Sequence, residues 1–530
     1  MSIVVNNLTY HHSDGEKLFT NVSFSVQKGQ KAALIGSNGS GKSTLFKIIA
    51  GEKEQSNGEV FLPKHVFFMP QQLNNYSEET IAEVLGVDKK VKALHAILGG
   101  DASEQYFQNL NEDWEIEERV KEAFSRWGLD GIQLFRPINT LSGGEKTKVV
   151  LTKISLDNPE VILLDEPSNH LDLEGREILY QFIRNSKSTI LVASHDRAML
   201  NLLDITLELS DKGIEVYGGN YDFYKEQNQL KIDALQVQLA EQEKSIKQSL
   251  KQVQQLTELR QRRETRGRRH TEKAGLPRII AGALASKAQQ TTSRMKTQQE
   301  SKIDELNRKL SNTQQQIKKI IPLRMKLKAP PTHRGKILVE ATDINVFYRG
   351  KGLWAEPLNL KIISGDRIHL IGANGTGKTS LIKLIRSELE MSKGRLDIAP
   401  FSSFYIDQEY SLLNHSNILI EQLQEFNDRA LLDHELKTLL HRHQFPVEAW
   451  NKQCRMLSGG EKMKLLLCCM GLRNSSPDVL LLDEPTNNID VYSQEILTRA
   501  IRDFHGTLVV VSHDSYFIDQ IHLNKKIELK

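Results

Sequence analysis

Two segments of the chain combine glycine, lysine and hydroxyl residues at a spacing that suits phosphate binding. Gly36–Thr44 reads GSNGSGKST and Gly372–Ser380 reads GANGTGKTS, and each follows an apolar run and precedes a helical pattern. Glycines let backbone N–H groups curl round a phosphate, and the helix N-terminus adds a positive dipole end. The lysine of each segment is predicted to reach the β- and γ-phosphates and the next residue to bind Mg²⁺: Lys42 with Ser43, and Lys378 with Thr379.

A carboxylate pair follows an apolar strand pattern twice in the chain, as Asp165-Glu166 and as Asp483-Glu484. Sheets of alternating strands and helices bind ligands at the carboxyl ends of their strands. The aspartate of each pair is therefore a predicted Mg²⁺ partner, and the glutamate is placed to polarise an attacking water. Loss of such a base typically slows a reaction ~10²–10⁴-fold. The alternative is a pair that only caps a helix.

These segments belong to a repeat as long as a whole domain. Leu141-Ser-Gly-Gly-Glu-Lys recurs from Leu457, and Ser194-His-Asp recurs from Ser512, in the same order as the other motifs. The offset is 336 residues at the phosphate loops and 318 at the histidines, so the first copy has about 18 extra residues, predicted within 78–130. The serine of each Ser-Gly-Gly-Glu segment suits a helix N-cap, but its recurrence favours a functional interpretation.

Strand and helix patterns alternate within each copy. Lys31–Ile35, Val161–Leu164 and Thr189–Ala193 are short apolar runs, with counterparts in the second copy. Continuous apolar runs of this length are typical of buried parallel strands. The sequence therefore predicts an α/β fold with two P-loop domains, residues 1–224 and 336–530, joined by an α-helical hairpin at 225–335.

The predicted linker differs in composition from both copies. Residues 225–334 contain 25 Lys and Arg against 10 Asp and Glu, whereas the remainder contains 45 against 57. Apolar residues with heptad-like spacing occur before and after a Gly- and Pro-containing middle, which predicts an antiparallel hairpin with its turn between Gly267 and Ala288 and its end before Pro330-Pro331. Six arginines precede that turn: Arg260, Arg262, Arg263, Arg266, Arg268 and Arg269.

This basic segment suits a nucleic-acid partner, since the arginine fork matches phosphate oxygens. The predicted tip, Leu276–Lys287, is apolar and rich in small residues, which would suit insertion among RNA bases or tRNA ends. Aromatic residues are scarce there, so base stacking is not indicated. A solvated basic face and duplex DNA binding both remain open alternatives.

Several classes of protein are disfavoured by composition. No apolar run approaches the ~18–20 residues that span a bilayer, and the N-terminal segment lacks the pattern of a signal peptide. Three cysteines, Cys454, Cys468 and Cys469, show neither a disulfide framework nor metal-ligand spacing. We expect a cytoplasmic protein with reduced, buried cysteines.

The motifs taken together resemble those of ATP-binding cassette (ABC) ATPases. Two cassettes without membrane segments, joined by a charged helical linker, are similar to the ABC-F family, and Asp165–Asp172 reads DEPSNHLD, which is typical of it. The resemblance covers residues 1–220 and 336–530, and the linker by architecture only. It implies an ATPase that uses ATP and Mg²⁺, with its two cassettes paired head to tail within a monomer.

The resemblance also implies roles for individual residues. The ATP loops comprise Gly36, Ser37, Asn38, Gly39, Ser40, Gly41, Lys42, Ser43 and Thr44, and Gly372, Ala373, Asn374, Gly375, Thr376, Gly377, Lys378, Thr379 and Ser380. Mg²⁺ is assigned to Ser43, Gln71, Asp165, Thr379, Gln408 and Asp483, and catalysis to Glu166 and Glu484 with the switch histidines His195 and His513. The D-loops contribute Asp172 and Asp490.

Head-to-tail pairing implies that each signature segment completes the site of the other copy. Ser142, Gly143, Gly144 and Glu145 would complete the Lys378 site, and Ser458, Gly459, Gly460 and Glu461 the Lys42 site. Tyr348 is the expected adenine-stacking residue of the second copy. The matching place in the first copy is near His12, with Tyr10 two residues earlier. The second D-loop, Asn487-Asn488-Ile489-Asp490, departs from Asn169-His170-Leu171-Asp172, and two competent but unequal sites are expected.

Members of the ABC-F family, which this chain resembles, bind ribosomes. Their linker reaches from the tRNA exit site towards the peptidyl-transferase centre. The resemblance therefore implies a translation factor with rRNA and tRNA as partners, either a housekeeping factor or an antibiotic-resistance factor that protects the ribosome. A transporter ATPase subunit and a DNA-associated cassette ATPase remain open as alternatives.

Overall fold

The computed structural model describes residues 3–12, 15–73, 78–101, 103–273, 301–314, 335–348, 350–373 and 375–529. Predicted features that lie outside these residues are Asn374, the tip Leu276–Lys287 and Pro330-Pro331. Contacts divide the described residues into two units. The first contains both copies of the repeat, up to Tyr224 and from 335 onwards, and the second contains the described residues between 225 and 314.

The first copy is built round a mostly parallel sheet. Among its described residues the strands are β1 (Ile3–His11), β2 (Lys17–Val26), β3 (Lys31–Ile35), β4 (Asn57–Phe61), β5 (Val66–Met69), β6 (Val161–Asp165), β7 (Thr189–Ala193), β8 (Ile205–Ser210) and β9 (Gly213–Tyr217). The main sheet has the order β5-β6-β7-β3-β8-β9, with only the β8–β9 pair antiparallel. A smaller antiparallel sheet has the order β2-β1-β4.

Helices of the first copy cover the main sheet. They are α1 (Lys42–Ile49), α2 (Ile81–Leu85), α3 (Asp88–Leu98), α4 (Glu104–Leu110), α5 (Ile116–Arg126), α6 (Gly143–Asp157), α7 (Leu173–Asn185) and α8 (Arg197–Leu200), with a short 3-10 helix at Ile138–Thr140. The predicted extra residues of this copy fall in α2 to α5, where the second copy has two helices.

The linker begins with one long helix, α9 (Tyr221–Lys273), and residues 301–314 form a further helix, α10. Helix α9 continues through Gly267 to Lys273, so the predicted turn region, Gly267 to Ala288, begins too early by these residues. A single glycine costs a helix only about 1 kcal/mol, and α9 contains no proline between Tyr221 and Lys273. The hairpin itself stays a prediction, since its turn lies outside the described residues.

The second copy repeats the plan of the first. Its strands are β10 (Ile337–Asn345), β11 (Phe347–Tyr348), β12 (Lys351–Gly352), β13 (Leu358–Ile363), β14 (Arg367–Ile371), β15 (Lys393–Ile398), β16 (Ser403–Ile406), β17 (Val479–Asp483), β18 (Thr507–Val511) and β19 (Lys525–Glu528). Its helices are α11 (Lys378–Ile385), α12 (Leu419–Glu425), α13 (Asp433–Arg442), α14 (Gly459–Leu472), α15 (Val491–Arg502) and α16 (Ser515–Gln520), with 3-10 helices at Val447–Ala449 and Cys454–Met456.

A parallel sheet in the order β16-β17-β18-β14-β19 forms the centre of the second copy, with β13-β10-β15 as its antiparallel sheet and β11–β12 as a separate ribbon. Strands β6, β7, β17 and β18 are buried at every residue. Helices and the second sheet cover both faces of a parallel sheet, so its strands are apolar throughout. The predicted α/β fold is confirmed. In the described part of the chain, no helix has both the length and the apolar character that crossing a bilayer requires.

Candidate nucleotide-binding site

Each phosphate loop leads from a central strand into a helix. The loop after β3 reaches α1 through Gly41, and the loop after β14 reaches α11 through Gly377, with φ angles of 96° and 85°. Side chains disfavour this left-handed conformation, and a Cβ at Gly41 would also lie 2.8 Å from Leu18 Cδ2. Glycine is therefore required for the turn into the helix.

The loop lysines lie in the curl of their own loops. Lys42 Nζ donates to the Gly36 carbonyl at 2.8 Å and to the Ser37 carbonyl at 3.3 Å. Lys378 Nζ donates to the Gly372 and Ala373 carbonyls at 2.7 and 2.9 Å. The two copies thus hold a cation at the same place relative to the helix N-terminus, where phosphate oxygens would bind.

A hydroxyl and a carboxylate meet beside each lysine. Thr379 Oγ1 donates to Asp483 Oδ2 at 2.7 Å. Burial raises the pKa of Asp165, and a hydrogen bond from Ser43 opposes that rise. Mg²⁺ prefers oxygen ligands and commonly takes one or two carboxylates together with substrate phosphates. The described residues contain no cluster of three or more acidic, His or Cys side chains that would hold a metal by themselves. Both pairs therefore fit a magnesium ion that arrives with a nucleotide.

Strand register brings a glutamate and a histidine together in each copy. Asp165 at the end of β6 pairs with Ala193 of β7, so Glu166 N donates to the Ala193 carbonyl at 2.8 Å. Glu166 Oε1 then lies 3.2 Å from His195 Nε2. In the second copy Glu484 Oε1 lies 3.4 Å from His513 Nε2, again across neighbouring parallel strands.

Burial sets the protonation of these pairs. It raises the pKa of Glu166, and it raises the pKa of Glu484 to about 7. The same cause lowers the pKa of His195 to about 3 and that of His513 to about 4. The histidines are therefore neutral near pH 7, and the glutamates titrate close to it. A general base works best when its pKa lies near the ambient pH.

Both glutamates adopt a backbone conformation that is unusual for their residue type. Glu166 has a φ of 53° and Glu484 a φ of 50°, in the left-handed region. Such conformations cost about 1–3 kcal/mol each and persist where the surroundings fix them. This backbone conformation directs each carboxylate away from the direction of its strand and towards the histidine that follows the neighbouring strand.

A cavity of about 450 Å³ surrounds Lys42 and includes residues from both copies. The first copy contributes Lys42, Ser43, Gln71, Asp165, Glu166 and His195. The second contributes Ser458, the N-cap of α14. The structure therefore brings the serine of one signature segment to the phosphate loop of the other copy, as head-to-tail pairing requires. Gly459, Gly460 and Glu461 form the first turn of α14.

The D-loops also cross between the copies. Asp490 Oδ2 accepts a hydrogen bond from Asn38 N, in the Lys42 loop, at 2.9 Å. Asn38 Nδ2 donates to the Asn488 carbonyl at 3.3 Å. Around Lys378, burial lowers the lysine pKa, and Glu484, Asp483 and Asp172 oppose that change. The D-loop carboxylate of each copy is thus within electrostatic reach of the other copy's lysine.

Other predicted site residues lie further from the phosphate loops or are exposed. Ser142 caps α6 through its bond from Glu145 N at 3.3 Å, and the segment Gly143-Gly144 begins that helix beside His170. Gln408 is exposed after β16, and Tyr348 on β11 is 51% exposed. In the first copy His12 lines the cavity, whereas Tyr10 is buried against Phe19, so the wall near the predicted adenine place is His12.

Three cavity residues were missed by sequence reasoning: Leu18, Arg176 and Gln494. Arg176 is 8% exposed, and its Nη1 lies 3.5 Å from Asp196 Oδ2. Arg176, Leu179 and Ile183 form the buried face of α7, so an arginine on the apolar side of an amphipathic helix was the available signal. Gln494 occupies the same position of α15, 318 residues later.

Comparison with known protein families places this chain. The family model described as ABC transporter matches residues 19–169 and 355–487, more than half of the chain. The chain belongs to the ABC transporter family. It is an ATPase with two ATP-binding cassettes, and we call its first and second copies the first and second cassette.

Relatives match over nearly the whole length. The chain is 28% identical to the uncharacterized ABC transporter ATP-binding protein YfmM of Bacillus subtilis, over 98% of this chain and 96% of YfmM. It is 27% identical to ABC transporter F family member 5 of Arabidopsis thaliana, over 97% of this chain and 73% of that protein. The resemblance to ABC-F proteins is confirmed.

A solved structure shares the twin-cassette fold. The archaeal ribosome recycling factor aABCE1, in complex with the ribosomal stalk protein aP1, matches with a TM-score of 0.59 and 20% identity over 97% of this chain and 86% of that one. At this identity the match shows the fold.

Proposed function

We propose that this ATPase is an ABC-F type translation factor that binds the ribosome. ATP binding and hydrolysis at two composite sites between residues 1–224 and 336–530 would drive movement of the linker, 225–335, near the tRNA and the peptidyl-transferase centre. Its partners would be rRNA and tRNA, and its cassettes would pair within one monomer in the cytoplasm. The factor would act either as a housekeeping translation factor or as one that protects the ribosome against an antibiotic.

The roles of the site residues follow from their positions. Lys42 and Lys378 bind the β- and γ-phosphates with the backbone of their loops. Glu166 and Glu484 orient the attacking water and accept its proton. His195 and His513, neutral near pH 7, contact the γ-phosphate. Mg²⁺, when bound, would neutralise phosphate charge, and the residues that fit it are Ser43 with Asp165 and Thr379 with Asp483.

The observation that carries the ribosome proposal is the basic end of α9, in a chain whose two cassettes share an ATP cavity. Arg262 and Arg266 lie on this helix with exposed side chains, in a stretch that contains six arginines. Exposed arginines on a helix suit phosphate backbones, because the guanidinium binds two phosphate oxygens at once. Ribosomal RNA presents such backbones as A-form helices.

The matches to known proteins are consistent with ribosome binding, but they establish only the family and the fold. Two ABC transporter F family members of Arabidopsis thaliana match 97% and 98% of this chain, a span that includes the linker. The structure with the shared fold is named a ribosome recycling factor, and its likeness supports a twin-cassette machine only. The proposal therefore depends on a direct test of ribosome binding.

The test uses the double variant Glu166→Gln with Glu484→Gln. Removing both bases should slow hydrolysis ~10²–10⁴-fold and leave ATP binding intact, so the closed form accumulates. The variant is run through a sucrose gradient with ATP and 70S ribosomes. We expect it to sediment with the ribosomes with ATP and to stay at the top of the gradient without nucleotide.

The arginines are tested by changing all six to glutamine in the same background. We expect co-sedimentation to be lost. The matched control changes six exposed lysines of the first cassette to glutamine, with the same loss of charge: Lys28, Lys64, Lys89, Lys121, Lys187 and Lys212. Co-sedimentation should survive there. A double variant that binds ATP but never joins the ribosome would contradict the proposal and redirect the search to DNA or a membrane partner.

A further inference from the structure

A cluster of tyrosines round Glu208 joins the second cassette to the root of the linker helix. Tyr217 OH donates to Glu208 Oε2 at 3.2 Å, and Tyr224 OH donates to Glu208 Oε1 at 3.0 Å. Tyr492 of the second cassette also donates to Glu208 Oε1, and its hydroxyl lies 2.8 Å from that of Tyr224. We call Glu208, Tyr217, Tyr224 and Tyr492 the Glu208 cluster. Tyr224 belongs to the first turn of α9.

The cluster is continuous with the D-loop of the Lys42 site. Asp490 caps α15 by accepting from Ser493 N at 2.7 Å, while its Oδ2 accepts from Asn38 N in the phosphate loop. Val491 comes next and packs in the hydrophobic core of the first cassette, which also contains Tyr221 and Tyr224. Tyr492 then reaches Glu208. Three consecutive residues thus contact three different places. Asp490 binds the phosphate loop, Val491 packs in the first-cassette core, and Tyr492 contacts Tyr224 in the first turn of α9.

The other D-loop lacks this continuation. Asp172 caps α7 in the same way, with Gly175 N donating to its Oδ1 at 2.9 Å. The next two residues are Leu173, which is 46% exposed, and Glu174, which is also exposed. Among the described residues, neither makes a hydrogen bond like that of Tyr492 to Glu208. The two D-loops therefore differ in whether the residues that follow them connect to the linker helix.

The packing makes the Glu208 cluster a stiff connection. Tyr224 is 3% exposed, and its ring contacts that of Tyr217 edge to face with centroids 4.9 Å apart. Burial raises the pKa of Tyr224 and of Tyr492, so both hydroxyls remain protonated donors at neutral pH. Hydrogen bonds to a carboxylate are stronger than bonds between neutral groups. A displacement of the first turn of α15 would therefore be passed to Tyr224.

We propose that the Glu208 cluster couples the Lys42 site, and not the Lys378 site, to the linker helix, with Glu208 and Tyr492 as positioning residues for the D-loop Asp490. This inference rests on the proposed function, because it assumes that ATP closes two composite sites. When nucleotide draws the cassettes together at Lys42, Asp490 and α15 move with the phosphate loop, and Tyr492 carries that movement to the start of α9.

The test follows linker movement while one site at a time binds nucleotide. Cysteines introduced at the exposed positions Gln248 on α9 and Lys187 on the first cassette carry spin labels, because the native cysteines are all buried. Lys378→Ala leaves only the Lys42 loop intact, and Lys42→Ala leaves only the other. We expect ATP to change the distance between the labels in Lys378→Ala and to leave it unchanged in Lys42→Ala.

Tyr492→Phe and Glu208→Gln then test the cluster with little change in shape. In the Lys378→Ala background each should abolish the distance change and weaken binding of a fluorescent ATP analogue about ten-fold, since a hydrogen bond to a charged group is lost. In the Lys42→Ala background neither should alter analogue binding. Glu174→Gln, at the position that corresponds to Tyr492 in the first cassette, is the matched control and should change nothing.

The outcomes separate this inference from the proposed function. If the unmodified chain binds the ATP analogue but Tyr492→Phe and Glu208→Gln both leave the distance change intact, the coupling is wrong and the ATPase sites stand. Equal distance changes in Lys42→Ala and Lys378→Ala would also overturn it. Failure of the unmodified chain to bind the analogue at either loop would overturn both proposals.

Discussion

The two ATP sites of this chain hold their lysines alike but meet different partners across the cassette interface. At the first site Asp490 is bonded directly to the loop through Asn38 N, and the cavity is lined by the neutral Gln494 of α15 as well as by Arg176 of α7. At the second site Asp172 acts on Lys378 through its charge, and the corresponding α7 residue is Arg176, whose charge opposes the rise in the pKa of Glu484 caused by burial.

This difference shows that repeated motifs fix the chemistry but not its surroundings. Each motif places the same atoms beside the phosphates, so both sites should hydrolyse ATP. Residues a few positions after each D-loop aspartate determine how tightly that site closes and how its catalytic glutamate is held. Unequal sites therefore follow from a pair of helices, α7 and α15, whose first turns differ at every position. Two of these differences change polarity or charge: Glu174 corresponds to Tyr492, and Arg176 corresponds to Gln494.

The largest expected effect comes from removing one base at a time. Glu166→Gln and Glu484→Gln should each slow hydrolysis ~10²–10⁴-fold at its own site and leave the other site active. Single-turnover experiments with labelled ATP measure this directly. We expect two phosphates released per molecule from the unmodified chain, one from either single variant and none from the double variant on the same timescale.

A single variant that releases no phosphate would break the comparison, because it would show that hydrolysis at one site requires the base of the other. Different rates in the two single variants would sharpen it. The site with the faster remaining turnover could then be assigned to one arrangement of neighbours, Asp490 with Gln494 or Asp172 with Arg176.

The sequence predicted most of the chemistry, because that chemistry lies in short segments whose spacing is fixed by a strand, a turn and a helix. Glu166 and His195 are 29 residues apart, yet both follow apolar strands, and neighbouring parallel strands bring their ends together. Ser458 at the Lys42 cavity followed from the repeat only once head-to-tail pairing was assumed.

Contacts between side chains from distant segments could not be predicted. The bond of Tyr492 to Glu208 joins residues 284 apart in different cassettes, and no local pattern marks either one. The start of the predicted turn region, Gly267, lies within α9 for a different reason, since glycine weakens a helix without ending it. Local propensity is a weak guide where a long helix has no proline to stop it.

The next effect in size is expected from the buried arginine. Arg176→Ala should lower the free energy of unfolding of the cassettes by about 3 kcal/mol, because Asp196 would lose its buried cationic partner and keep the bonds from two neutral donors, the Tyr180 hydroxyl and Met199 N. Urea unfolding followed by tryptophan fluorescence measures the loss. Gln494→Ala, which removes a neutral side chain at the equivalent position, is the control and should cost about 1 kcal/mol. Equal losses would mean that the arginine adds no electrostatic stabilisation.

The smallest expected effect concerns the support of the phosphate loops. Trp354 Nε1 donates to the Thr376 carbonyl at 2.9 Å in the second loop, whereas Phe19, which has no such donor, occupies this place beside Gly41 in the first. Trp354→Phe should therefore cost about 1 kcal/mol of loop support and weaken ATP binding at the Lys378 site about five-fold, measured by analogue binding in a Lys42→Ala background. The reverse change, Phe19→Trp, has no reason to weaken the Lys42 site by loss of a bond. If Trp354→Phe leaves the affinity for the analogue unchanged, the second phosphate loop is held by its own backbone, as the first is without such a donor. The difference between the two sites would then lie only in the residues that each receives from the opposite cassette.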